Sequence, residues 1–176
     1  HRIDDHRRWA PLLALFTGAR VGELGQLQVG DVREIDGVHC IDLRDALDDD
    51  DERPTKHLKT EAAHRLVPLH PELVRLGLLD YVRRRRAKGE RRLFPRWDQG
   101  KDGYFSSPFS KWFARFCDAV VTKDRRFGFH SFRHTFITAM TRAGIEPDLR
   151  RAIVGHEAQD THAATYMHPD ARTLHA

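Results

Sequence analysis

Apolar residues along the chain recur first at helical spacing and then at strand spacing. Trp9, Leu12, Leu13 and Phe16 stand at i, i+3, i+4 and i+7 within residues 5–17, which predicts an amphipathic helix ending at Gly18. A second short helix follows, with Arg20 at its start and Val21, Leu24 and Leu27 as its apolar side. From Val32 to Leu69 the period changes. VREIDG, VHCIDL and HRLVPL predict three short strands in an antiparallel meander, with a long acidic connection between the second and the third. Pro71 then opens a helix through Leu73, Leu76, Leu79 and Val82 that runs into a cluster of arginines.

The helical period is cleanest over 107–121, where Phe109, Trp112, Phe113, Phe116 and Val120 form one stripe behind a Ser107-Pro108 start. The stripe is expected to be core. In the next segment, HSFRHTFITAMTRAG (130–144), a rotation of about 100° per residue separates two faces. Phe132, Phe136 and Ala139 fall together with Met140 at their flank, and His130, Arg133, His134 and Ile137 fall opposite. A helix that buries Phe132 and Phe136 therefore presents His130 and Arg133 together on another face, and Gly144 closes it as a C-cap. A short helix across Asp148 to Val154, then Gly155-His156, then a segment ending in Tyr166 complete the pattern. No repeat or low-complexity linker interrupts it. The expected fold class is α+β: one mostly helical domain over 1–176 with a small three-stranded antiparallel sheet near its N-terminal third.

Length and composition narrow the class. At 176 residues the chain fits one domain of ordinary size, and 40% hydrophobic with 32% charged residues is the balance of a folded globular protein. No apolar run approaches the roughly 20 residues needed to span a bilayer, and HRIDDHRRWAP lacks a signal-peptide core. A cytosolic globular domain is the expectation. Cys40 and Cys117 lie far apart, with neither a disulfide framework nor CxxC spacing, and are expected to be reduced and structural. The net charge of +4 says little, but its distribution says more. Residues 45–52 (DALDDDDE) hold six acids and no base, whereas 83–96 (RRRRAKGERRLFPR) hold eight bases and one acid. Most of the positive charge is arginine, whose planar fork suits bidentate phosphate contacts.

Chemistry-bearing residues occur in a definite order: TGARVGEL with Arg20, HLKTEAAHRLVPL with Lys59, HSFRH with His130 and Arg133, VGHE with His156, and TYMH with Tyr166. Singly, each has an ordinary structural explanation. As an ordered set, each in its expected element, they resemble the catalytic domain of the tyrosine recombinases, the phage-integrase type of site-specific DNA recombinase. The resemblance runs from the first helix to the tail and includes connecting segments such as KWFARF and VPLHPEL. It implies that Arg20 and Arg133 bind the phosphate, that Lys59 sits on a strand-turn-strand hairpin, that His130 and His156 are the two histidine-class positions, and that Tyr166 is the nucleophile. It makes His134 a structural partner within its helix and Glu23 a carboxylate that orients Arg20.

These residue types suit the implied reaction. Attack on a phosphodiester adds charge to the non-bridging oxygens, and two guanidiniums aimed there stabilise it. A tyrosine hydroxyl, with a pKa near about 10, needs activation, which nearby arginines and a histidine can provide. A lysine among Lys56, His57 and His64 is suited to protonate the leaving 5′ oxygen. A covalent phosphotyrosine stores the energy of the broken bond, so no cofactor and no metal is expected. No Walker loop is present, HSFRH lacks the glutamate of HExxH, and the Asp48 to Asp51 run reads as a charged loop. The implied partner is double-stranded DNA, bound by a homo-tetramer of the full-length protein, with no membrane involved. The implied setting is a bacterial or phage cytoplasm, associated with the nucleoid. Alternatives are a non-catalytic DNA-binding regulator on the same scaffold and a type IB topoisomerase. The family usually carries a separate N-terminal helical domain that closes around DNA. The chain begins directly at the catalytic domain, so it is expected to be a monomeric fragment that binds DNA weakly alone.

Overall fold

Helix α1 (His6–Thr17) is the element around which the others are arranged, because Trp9, Ala10, Leu13 and Ala14 put one continuous apolar face into the centre of the protein. The computed structural model describes residues 6–43, 47–48, 51–54, 65–124 and 126–155. Leu12 and Phe16 flank the buried face and are partly covered. The Thr17 hydroxyl donates to the Leu13 carbonyl at 2.6 Å and accepts from Ala19 N–H at 3.2 Å, which ties the end of α1 to the turn after it. That turn depends on Gly18, whose φ is +65° and whose missing Cβ would lie 2.6 Å from the Phe136 ring.

Helix α2 (Val21–Gln26) starts from Arg20 and buries Glu23 and Leu24. One 3₁₀ turn (Val29–Asp31) leads into strands β1 (Val32–Ile35) and β2 (Val38–Asp42). Strands β3 (Leu47–Asp48) and β4 (Asp51–Pro54) follow, then β5 (Leu66–Pro68). The main sheet is the predicted meander, antiparallel in the order β1-β2-β5, with Val32 opposite Ile41 and Ile41 opposite Val67. The acidic connection differs from expectation in one respect: β3 and β4 pair as a second, two-stranded antiparallel ribbon within it.

The predicted helix from Pro71 is two helices, α3 (Pro71–Arg75) and α4 (Leu78–Ala87). Gly77, at φ +91°, breaks the backbone between them, while the apolar side continues through buried Leu73, Leu78 and Val82. Much of the arginine cluster serves the fold. Arg85 pairs with Glu90 at 3.0 Å and lies over the Tyr81 ring, Arg86 reaches the Val29 and Val32 carbonyls at 3.5 Å, and Arg92 stacks on Phe105.

Helix α5 (Ser106–Val120) buries Phe109, Phe113 and Cys117, not the whole predicted stripe. Phe109 and Phe113 meet Phe129 edge-on at 5.1 and 5.3 Å, and Phe109 lies 4.5 Å from Trp97. The i, i+4, i+8 line is thus the one that meets the core. Trp112 is half-buried beneath Arg7, and Phe116 and Val120 are 44% and 65% exposed. Helix α6 (His130–Arg142) packs on α1, and α7 (Pro147–Val154) packs on α6. Here a further expectation is corrected. Arg133, at 2% exposure, is more deeply buried than the half-buried Phe132 and Phe136, Ala139 is exposed, and Met140 is the apolar residue of α6 that joins the core. Cys40 and Cys117 are both buried, free thiols.

Candidate active site

Arg133 lies deep because three segments converge on it. Its Nη1 donates to the Gly18 carbonyl and its Nη2 to the Val154 carbonyl, both at 2.6 Å. Those bonds use two of the five N–H groups of a guanidinium. Burial, reinforced by the charges of Arg20 and Arg65 and opposed by Glu23, pushes the Arg133 guanidinium down to about 10, so it is a cation at neutral pH.

Arg20 precedes the first turn of α2 in extended conformation and is held by Glu23 in two ways. Its backbone N–H donates to Glu23 Oε2 at 2.7 Å, and its Nη1 donates to Glu23 Oε1 at 2.9 Å. Its Nη2 donates to the Gly155 carbonyl at 3.2 Å. The orientation of Arg20 by Glu23, expected from the resemblance, is therefore present as geometry.

Arg65 was not anticipated. It donates in a fork to both Glu23 oxygens, at 3.1 and 2.9 Å, and through Nε to the Ile153 carbonyl at 2.9 Å. The Glu23 carboxylate thus accepts four hydrogen bonds from two arginines. Burial alone would raise its pKa, but the hydrogen bonds and charges of Arg65 and Arg20 prevail and hold it below the ordinary 4.5. A signal for Arg65 was present in the sequence. Arg65, Val67 and Leu69 alternate along one strand face, and all three are buried. A charged residue in register with core residues requires a buried partner.

The three arginines share a second feature. Ile153, Val154 and Gly155 are consecutive at the C-terminal end of α7, and their carbonyls accept from Arg65, Arg133 and Arg20 in turn. Helix ends leave such carbonyls without intrahelical partners, and cations are favoured at this end of the dipole.

His130 opens α6, exposed and edge-on to His134 at 4.8 Å between ring centroids. Burial, the neighbouring His134, and then Arg133 and Arg20 lower its pKa from 6.5, so the ring is neutral at pH 7 and able to accept a proton. Arg20, His130 and Arg133 all line one cavity of about 570 Å³, together with Tyr104, Phe113 and Phe127. The structure therefore brings together three of the six expected site residues from two distant stretches of sequence. Lys59, His156 and Tyr166 lie outside the described residues. Among the described residues no group of three His, Cys, Asp or Glu side chains could hold a metal ion, and no helix is long and apolar enough to cross a membrane.

The sequence model of the phage integrase family matches residues 3–173. The fold is similar to that of XerA recombinase, with a TM-score of 0.57 and 22% identity over 98% of this chain and 55% of that one. It is similar to the Tn1549 transposon integrase solved with circular intermediate DNA, with a TM-score of 0.59 and 19% identity over 94% and 56%. It is also similar to the XerH site-specific recombinase bound to its difH substrate, with a TM-score of 0.56 and 21% identity over 90% and 42%. The chain thus spans about half the length of these proteins or less. No curated protein sequence matches it significantly.

Proposed function

Because the chain belongs to the phage integrase family, we propose that it is the catalytic domain of a tyrosine-type site-specific recombinase that cuts and rejoins duplex DNA. The observation that carries this reading is that Arg20, His130 and Arg133 line one cavity, which puts two cations and a neutral imidazole in its lining. A pair of guanidiniums there is suited to a phosphodiester whose non-bridging oxygens gain charge during attack.

The chemistry follows from the residue types. The Tyr166 hydroxyl attacks the scissile phosphorus while His130 takes its proton. The new bond is Tyr166 Oη–P and the broken bond is P–O5′. Lys59 gives a proton to the leaving O5′, and His156 supplies a second donor to the phosphate. The products are a 3′-phosphotyrosyl link and a free 5′-hydroxyl, and reversal with a different 5′-hydroxyl exchanges strands. The energy of the phosphodiester is kept in the protein–DNA bond, so the cycle balances without nucleotide hydrolysis. In the full-length protein, four copies on DNA with an additional N-terminal domain would complete the working assembly.

Incubation of the full-length protein with randomised duplexes nicked just beyond the cleavage position, so that the 5′-hydroxyl fragment diffuses away, tests this reading. A covalent adduct on a denaturing gel, mapped by mass spectrometry to Tyr166 and lost in Tyr166→Phe, is expected. Salt-sensitive duplex binding with no adduct would support the binding-only regulator instead. Plasmid relaxation without strand exchange would support a topoisomerase.

A further inference from the structure

Arg65 is a buried cation outside the lining of the cavity, yet it holds Glu23, which lines it, and Ile153 beside the carbonyls that the other two arginines hold. Its side chain is 4% exposed, with three donors pointing in two directions: the Nη pair to the Glu23 carboxylate and Nε to the Ile153 carbonyl. Glu23 in turn grips the backbone and side chain of Arg20. Ile153 stands one residue before the carbonyl that Arg133 holds and two before the one that Arg20 holds. We infer that Arg65 is the positioning residue of the centre, fixing the Glu23 carboxylate and the end of α7 as one unit and thereby setting the aim of Arg20 and Arg133. This inference rests on the reading above for the identity of the substrate.

Two arguments favour positioning over bulk stability. A buried ion pair is a poor source of net stability compared with packed apolar side chains, so its benefit lies in the geometry it imposes. Only a guanidinium fits that geometry: its planar fork matches both carboxylate oxygens while Nε stays free for a third acceptor. A lysine ammonium at the same place is a point charge on a flexible stem.

Arg65→Lys, Arg65→Met, Glu23→Gln and the double Arg65→Met/Glu23→Gln variant of the full-length protein test it, assayed well below each variant's melting temperature. Three quantities are measured: single-turnover adduct formation on the duplex captured by the wild type, affinity for that duplex, and affinity for inorganic orthophosphate by phosphorus NMR. Misplacing the two arginines by an ångström is expected to slow adduct formation by roughly 10²-fold and to weaken orthophosphate binding by about tenfold or more, while duplex affinity stays within about threefold. The double variant is expected to be no slower than the slower single one, because Arg65 acts through Glu23. A charge-preserving Arg65→Lys variant that loses less than about tenfold in both rate and orthophosphate affinity overturns the proposal, as do single effects that multiply in the double variant. Should the wild type form no Tyr166 adduct, the recombinase reading falls while the orthophosphate series still decides the role of Arg65.

Discussion

Arg133 donates to the carbonyl of Gly18 at 2.6 Å across 115 positions of sequence, so the turn after α1 and the first turns of α6 are a single structural unit. Gly18 is constrained twice there, by a φ of +65° and by the Phe136 ring 2.6 Å from where a Cβ would sit. Gly18→Ala is expected to destabilise the protein by more than about 1 kcal/mol through the left-handed backbone alone, with overpacking against Phe136 adding to it. Urea denaturation measures the loss. Adduct formation should fall further than the folded fraction does, because the carbonyl that aims Arg133 moves.

The lowered pKa of His130 sets a pH limit on the proposed reaction. Its folded-state pKa lies below 6.5, so the neutral base is present at pH 7 and is lost as the pH falls below that value. The acid limb of the adduct-formation profile is therefore expected to inflect below 6.5. In His134→Ala one of the charges that lowers it is gone, and the inflection should move up toward 6.5 without reaching it, since burial is the larger cause. Ring-proton NMR titration of His130 checks both.

Glu23 gives a matching prediction for stability. Its folded pKa is depressed below 4.5, so its contribution is present in full above that value and lost as the pH falls through the lowered one. Unfolding free energies of the wild type and Glu23→Gln, measured between about pH 3 and pH 7, should converge toward the acid end. A gap that stays constant would contradict the four-hydrogen-bond geometry at this carboxylate.

The two sides of α5 should respond very differently to truncation. Phe113→Ala removes a buried ring from the cluster with Phe109 and Phe129 and is expected to cost about 3–5 kcal/mol. Val120→Ala, at 65% exposure, should change stability by no more than about 0.5 kcal/mol. Chemical denaturation of the two variants checks which line of the helix meets the core.

What the sequence made legible and what it did not have a common physical basis. The meander could be read because alternation along VREIDG, VHCIDL and HRLVPL is local and matches the observed pairing of Val32 with Ile41 and Ile41 with Val67. That Arg20, His130 and Arg133 share one cavity could be read because their motifs are short and ordered. The burial of Arg133 could not, because apolar periodicity marks Phe132 and Phe136 while the acceptors that make a buried guanidinium possible are backbone carbonyls of Gly18 and Val154. For Arg65 the alternation with Val67 and Leu69 signals burial, but its partners, Glu23 and the Ile153 carbonyl, are 42 and 88 positions away and are not signalled locally. The break at Gly77 was masked because apolar spacing continues through it.

The three arginines at the end of α7 all hold main-chain oxygens of Ile153, Val154 and Gly155. Main-chain acceptors depend little on which side chains those positions carry, so the joint can tolerate drift in composition provided that the packing of Ile153 and Val154 and the left-handed backbone of Gly155, at φ +65°, are kept. It cannot tolerate a change of count. One residue inserted within α7 turns every following carbonyl by about 100° about the helix axis and points all three away from their donors together. The joint therefore works as a gauge of length: substitutions pass through it, whereas a single insertion or deletion before Gly155 would disengage Arg20, Arg65 and Arg133 in one step.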